Sequence, residues 1–107
     1  MEAFKDMYEV VMSRRAEPQE GSYTCYLFEK VLDKILKKCG EECTEMVIAA
    51  KNSDKEELVG EINDLLYHMI VLMAERGVTV EDVEAVMVER SRKIGNLKQF
   101  HVSDHNT

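Results

Sequence analysis

The chain of 107 residues has one proline and five glycines, so few positions break local structure. Its three cysteines, Cys25, Cys39 and Cys43, form neither a CxxC pair nor a zinc-ligand spacing. Their odd count fits reduced thiols better than a disulfide framework, with Cys39 and Cys43 expected as small core residues. The longest charge-free stretch, residues 65–74, is far shorter than the ~20 residues of a membrane span and is interrupted by His68. The start, Met-Glu-Ala-Phe-Lys-Asp, has no signal-peptide character. Basic charge is also short: 14 Lys and Arg against 21 Asp and Glu give a net charge of -7. That balance argues against general nucleic-acid binding, which needs clustered cations. A cytoplasmic enzyme with no membrane and no nucleic-acid partner is the expectation. No strand pattern, internal repeat or low-complexity segment competes with the helical signals.

Those signals predict an all-α fold, a bundle of four to five helices in one domain over residues 1–95, with a polar tail over 96–107. Residues 2–14 carry Phe4, Met7, Tyr8, Val11 and Met12 at helical spacing, before a loop at 17–22 containing Pro18 and Gly21. A second helical region is expected from about residue 24 to 51. Its stripe Leu32, Leu36, Cys39, Cys43, Met46 and Ala50 is read as facing the core, and Gly40 suggests a bend or close backbone approach. Asn52 to Asp54 make a turn, and either Ser53 with Glu56 or Asp54 with Glu57 caps the next helix, which ends at Gly77. Thr79 with Asp82 opens the last helix, which carries Val80, Val83, Val86, Met87 and Ile94. The methionines read as core filler.

Two acidic signatures dominate what is present: Gly40-Glu41-Glu42-Cys43-Thr44-Glu45 and Glu61-Ile62-Asn63-Asp64. Helical spacing puts Glu42 with Glu45, Glu41 with Glu45, and Glu61 with Asp64 on shared faces, which costs about 0.2–0.5 kcal/mol per like-charge pair. Glu61 and Asp64 also lie at the mouth of a stretch that turns apolar nearly all round and should be covered on every side. No Lys or Arg lies between Lys55 and Arg76 to pair with them. Taken singly, either motif reads as a solvated helix face. On successive helices joined by a short turn they read as two walls of a divalent-cation site, with Mg²⁺ the natural ion and Mn²⁺ a substitute. His68, four residues after Asp64, reads as a core histidine or as a group behind the ligands that orients them. Lys34, Lys37 and Lys38 read equally as solvated surface or as phosphate contacts. A di-iron bundle is set aside, since no Glu-x-x-His occurs here. A helical adaptor would bind no metal.

The stretches Glu20-Gly21-Ser22-Tyr23-Thr24-x-Tyr26-Leu27-Phe28, Asp33 through Glu42 (Asp-Lys-Ile-Leu-Lys-Lys-Cys-Gly-Glu-Glu), Ala49-Ala50-Lys51-Asn52, Glu61-x-x-Asp64-Leu65-Leu66-Tyr67-His68 and the later Arg90 together resemble the phosphoribosyl-ATP pyrophosphohydrolase family. The resemblance runs from about residue 4 to 95. It implies an all-α nucleoside triphosphate pyrophosphohydrolase fold, an intertwined homodimer, Mg²⁺ dependence, and cleavage of phosphoribosyl-ATP to phosphoribosyl-AMP and pyrophosphate in the second step of histidine biosynthesis. Carried over by position, it implies Glu42, Glu45, Glu61 and Asp64 as metal ligands, with Glu41 as a further ligand or the base that helps deprotonate water. More than one ion in the productive complex follows from so many carboxylates. Ser22, Tyr23 and Thr24 would form a loop over the substrate, and Lys34, Lys38, Lys51 and Arg90 would contact phosphates. A house-cleaning pyrophosphatase for non-standard nucleotides would share fold and metal site and differ in that loop. Two positions depart from the family pattern: Val31 stands where a glycine is usual, and Cys39 where a small or β-branched aliphatic is usual. Val31 suggests a more continuous helix between residues 26 and 38.

Overall fold

A computed structural model describes residues 2–29 and 31–96. It contains five helices: α1 (Glu2–Ala16), α2 (Tyr23–Glu29), α3 (Val31–Lys51), α4 (Lys55–Arg76) and α5 (Val80–Asn96). No strand occurs among the described residues, and none of their helices is long and apolar enough to cross a membrane. The region expected to be helical from about residue 24 to 51 is covered by α2 and α3. Position 30 between them lies outside the described residues, as does most of the polar tail.

Local chemistry sets the helix ends. Asp54 caps α4, its carboxylate accepting from the Glu57 amide at 3.1 Å, and this decides between the two capping alternatives. Ser53 takes the positive φ of 58° that closes the turn. At the other end Gly77 adopts φ 72°, and the Val78 amide reaches back to Met73 O at 2.8 Å, which satisfies carbonyls the helix would leave open. Thr79 and Asp82 exchange bonds of 2.9 and 3.0 Å to start α5, a reciprocal capping box that holds the Asp82 carboxyl below its ordinary range.

The hairpin of α3 and α4 is the backbone of the fold, and the two run antiparallel: Cys39 Sγ donates to His68 O, while Glu42 and Glu45 stand opposite Glu61. Helix α1 lies across α4, and α2 wedges between α1 and the hairpin. Val11, Leu27, Ile35, Ile70, Val71 and Ala74 form the buried core, with Phe4, Tyr8, Phe28, Cys39, Tyr67 and Leu72 packed around it. Arg15 clamps this layer. Its guanidinium donates to Ala74 O at 2.6 Å in the last turn of α4 and lies 5.4 Å from the Phe28 ring centre. Among the described residues, of the other helices only α1 comes within 8 Å of α5, Cα to Cα. The radius of gyration is accordingly 16.7 Å, against about 13 Å for a compact chain of this length.

Several expected burials do not hold. Among the described side chains of α3 the buried ones are Ile35, Glu42 and Ala49, a seven-residue repeat, whereas Leu36, Cys43 and Ala50 from the expected stripe are exposed. The face turned to α4 is offset from the most apolar one, because it carries Glu42. Met69 on α4 is exposed, so this chain alone does not cover that helix on every side. Met73 is buried, but Met7, Met12, Met69 and Met87 are exposed and fill no core within the chain. Gly40 allows no close approach either: a Cβ built there meets nothing within 4 Å, and α3 runs through it.

The Asp54 cap carries a direct expectation. Asp54→Ala should lower stability by about 1 kcal/mol, read as a lower denaturant midpoint with unchanged slope.

Candidate metal and substrate site

The antiparallel register brings Glu42 and Glu45 of α3 against Glu61 of α4. One carboxylate oxygen from each lies within 4.8 Å of the others. Glu42 is 7% exposed, and its Oε2 and the Oε2 of Glu61 are both buried without a hydrogen-bond partner. Buried carboxylate oxygens left bare cost several kcal/mol unless something positive meets them. Lys38 answers part of this. Its ammonium sits 3.5 Å from Glu42 and 3.3 Å from Glu41, one turn along the same helix. No Lys or Arg on α4 between Lys55 and Arg76 answers Glu61 and Asp64, as the sequence implied; the cation at the cluster comes from α3 and pairs with Glu41 and Glu42.

The remaining repulsion shows in the proton affinities. The hydrogen bond to Glu42 and the charge of Glu42 push the Glu45 carboxyl above its ordinary range, with Asp64 adding to the rise and Lys38 opposing it. Burial raises Glu61 as well, followed by the charges of Glu45, Asp64 and Glu57. Asp64 thus acts on both glutamates, yet it is exposed, and its oxygens are not among the three that converge. Glu41 is exposed and turned to Lys38. Burial works against the charge on Lys38, but its bond to Glu41 and the charges of Tyr23, Glu41 and Glu42 outweigh that and raise its pKa. The hard oxygen donors of Glu42, Glu45 and Glu61, two of them with buried bare atoms, fit a divalent cation.

Beside this cluster stands the first turn of α2. The Ser22 hydroxyl caps it, accepting from the Cys25 amide at 3.3 Å. Tyr23 Oη lies 3.0 Å from His68 Nε2, and the Thr24 hydroxyl bonds the Tyr67 hydroxyl. Tyr67 had no role assigned from the sequence, although it adjoins His68 in the motif on α4. Burial raises the Tyr23 phenol, with Lys38 opposing. Residues 19–23 with Cys25 and Tyr26 line a cavity of about 530 Å³. Lys34 Nζ lies 5.9 Å from the centre of the Tyr26 ring at its edge. Lys51, at the end of α3, and Arg90, on α5, are exposed and are not brought to the cluster by the contacts of this chain.

Residues 4–91 match the family model for phosphoribosyl-ATP pyrophosphohydrolase. The chain belongs to that family. The chain is 59% identical over 87 residues to a phosphoribosyl-ATP pyrophosphatase of Streptococcus gordonii, covering 81% of this chain and 84% of that one. A phosphoribosyl-ATP pyrophosphatase of Clostridium novyi is 47% identical over 98 residues, 92% and 89% of the two chains. The histidine biosynthesis bifunctional protein HisIE of Thermoanaerobacter pseudethanolicus is 60% identical over 79 residues, 74% of this chain and 37% of that protein. Family members therefore occur both alone and as part of a longer chain.

The raised carboxyls give a pH dependence with a definite sign. A carboxyl raised on folding holds its proton more tightly in the folded state, so its contribution is complete below the ordinary carboxylate range. It is lost as pH rises through the raised values of Glu45 and Glu61. Metal-free protein should therefore melt at lower temperature as pH climbs from mildly acid to neutral. Glu45→Gln should flatten that slope and raise the neutral melting temperature; a mutant tracking wild type at every pH would remove the crowding argument.

Proposed function

We propose that this chain hydrolyses phosphoribosyl-ATP to phosphoribosyl-AMP and pyrophosphate, the second step of L-histidine biosynthesis, as a Mg²⁺-dependent cytoplasmic homodimer. The observation that carries the reading is a buried, partnerless oxygen on Glu42 of α3 and another on Glu61 of α4, two residues whose carboxylates converge with that of Glu45. In this reading Glu42, Glu45 and Glu61 hold Mg²⁺, or Mn²⁺ in its place, and Asp64 completes the set on the exposed side. When bound, the metal neutralises the triphosphate and the departing pyrophosphate.

The chain's own groups do the rest. The α3 and α4 hairpin fixes the carboxylates on rigid helices, so no reorganisation is needed when the substrate arrives. Glu41, at the exposed edge and held by Lys38, accepts a proton from the attacking water. The water oxygen bonds to phosphorus as the bridging P–O bond breaks, and the electron pair leaves with the other phosphate. Lys38 and Lys34 face the polyphosphate from α3, while Ser22, Tyr23 and Thr24 stand over the nucleotide.

Exposed apolar groups support the dimer. Leu36, Val47 and Ile48 on α3, Val59, Ile62 and Met69 on α4, and Val86, Met87 and Ile94 on α5 all lie open in one chain. A cavity of about 320 Å³ between α1, α4 and α5, lined by Phe4, Leu66, Met69, Leu72, Val83 and Met87 among others, awaits cover. A second copy would bury these faces and give the open methionines a core.

Activity and assembly are checked separately. Glu42→Gln and Glu61→Gln should each reduce Mg²⁺-dependent pyrophosphate release from phosphoribosyl-ATP by about a hundredfold or more while keeping helical circular dichroism. Near wild-type rates in both would refute the site, and preference for non-standard nucleoside triphosphates in a substrate panel would move the reading to a house-cleaning pyrophosphatase. Sedimentation should give twice the chain mass, and Val47→Glu with Ile48→Glu should shift it toward the monomer.

A further inference from the structure

The start of α2 is fastened to the middle of α4 by two consecutive polar contacts, one of which fixes the state of a buried histidine. His68 is 6% exposed, and its Nδ1 lies 2.8 Å from Asp64 O, one turn back on α4. A carbonyl oxygen can only accept, so Nδ1 carries the proton. In a neutral imidazole that leaves Nε2 as a lone-pair acceptor. The atom facing Nε2 at 3.0 Å is Tyr23 Oη, which therefore donates. One residue on in each helix, the Thr24 and Tyr67 hydroxyls bond each other. Edge-on ring contacts pack the same four-residue knot, Tyr23 to His68 at 5.7 Å and Tyr67 to His68 at 5.1 Å between centres.

These bonds are directional where the neighbouring apolar contacts are not, so they fix how far α2 sits along α4. Two parts of the site hang on that setting. Tyr23 lines the 530 Å³ cavity of the loop and stacks with Tyr26 at 6.1 Å, and its phenol also lies in the field of Lys38 and Glu42. On α4, His68 follows Asp64 by one turn and Glu61 by two. A histidine serving only the stability of α4 would need the Asp64 carbonyl and nothing more. Here the free nitrogen is spent on the tyrosine that opens the substrate loop.

We propose that His68, protonated on Nδ1, is a positioning residue that acts through Tyr23. It sets residues 19–22 and the Tyr23 and Tyr26 rings at a fixed place over the carboxylate cluster, so that the nucleotide docks in register with them. It touches neither the metal carboxylates' oxygens nor the reacting atoms. The inference rests on the reading of this site as one for phosphoribosyl-ATP.

Two measurements on the full chain test it. With ¹⁵N-labelled histidine, NMR reads the tautomer directly; His68 is distinguished from His101 and His105 by loss of its signals in His68→Asn. Protonated Nδ1 and unprotonated Nε2 are expected, and a proton on Nε2 overturns the proposal whatever the enzyme does. Kinetics form the second arm. Tyr23→Phe removes the donor, while the shorter amide of His68→Asn reaches only the Asp64 carbonyl. Both should raise KM for phosphoribosyl-ATP about fivefold, the loss of one hydrogen bond, with kcat and calorimetric Mg²⁺ affinity close to wild type. His68→Gln places an amide oxygen near the Nε2 position and should restore most of the KM. Unchanged KM in Tyr23→Phe, no rescue by glutamine, or a loss in Mg²⁺ affinity in place of KM would each overturn it. If the wild-type protein fails to turn over phosphoribosyl-ATP, the functional reading falls, while the tautomer measurement still decides whether the latch exists.

Discussion

The rest of the molecule is arranged around one unfavourable contact. Packing α3 against α4 in antiparallel register drives Glu42 into a nearly closed space facing Glu61, with Glu45 close by. Left to itself, that contact would push the helices apart, and the hairpin persists because apolar residues on either side of it hold. Ile35 lies seven positions before Glu42 and Ala49 seven after, both fully buried; Ile70 and Val71 of α4 join Ile35 in the core, and Leu58 stands near Ala49 by the turn. The charge is thus held between two apolar clamps on the same helix face. Lys38 relieves one carboxylate, and Glu45 and Glu61 respond by holding their protons more tightly. Stability is spent to keep acidic oxygens bare, a pattern expected of a built binding site and not of a scaffold.

What could be read from the sequence and what could not divides along the range of the interactions. Helix ends were legible because their causes are local: Pro18 and Gly21, Asp54 with Glu57, Gly77, and Thr79 with Asp82 each act within one turn. The two acidic motifs were legible as facing walls because a three-residue turn joins their helices. The buried face of α3 was not. Counting apolar residues favours the stripe through Leu36, Cys43 and Ala50, and only the tertiary register shows that the inner face instead runs through Ile35, Glu42 and Ala49. Periodicity reports that a stripe is apolar, without saying whether its own chain or another covers it. The exposed methionines illustrate the same point, since Met69 and Met87 are as apolar as any core residue and line a cavity open to solvent. The Tyr23 to His68 bond spans 45 positions and left no trace in either local pattern.

The division of labour between the elements follows from how each is held. Carboxylates that must converge within a few ångströms sit on the two longest helices, whose mutual packing is the most extensive in the chain. The groups that would meet the nucleotide sit on the shortest helix and the loop before it, an element too small to fix its own position. Apolar packing anchors α2 through Leu27 at its far end, and the buried Cys25 thiol ties its first turn to Arg14 O of α1, which leaves its setting along α4 open. The hydroxyls of Tyr23 and Thr24, bonded to His68 and Tyr67, remove that freedom. Because their partners lie on α4, which also carries Glu61 and Asp64, any shift of that helix carries the loop together with those two carboxylates. In the reading proposed for the site, the distance from base to phosphate would be set by one helix and two hydrogen bonds, and a change confined to the loop would alter the nucleotide side while leaving the acidic centre in place.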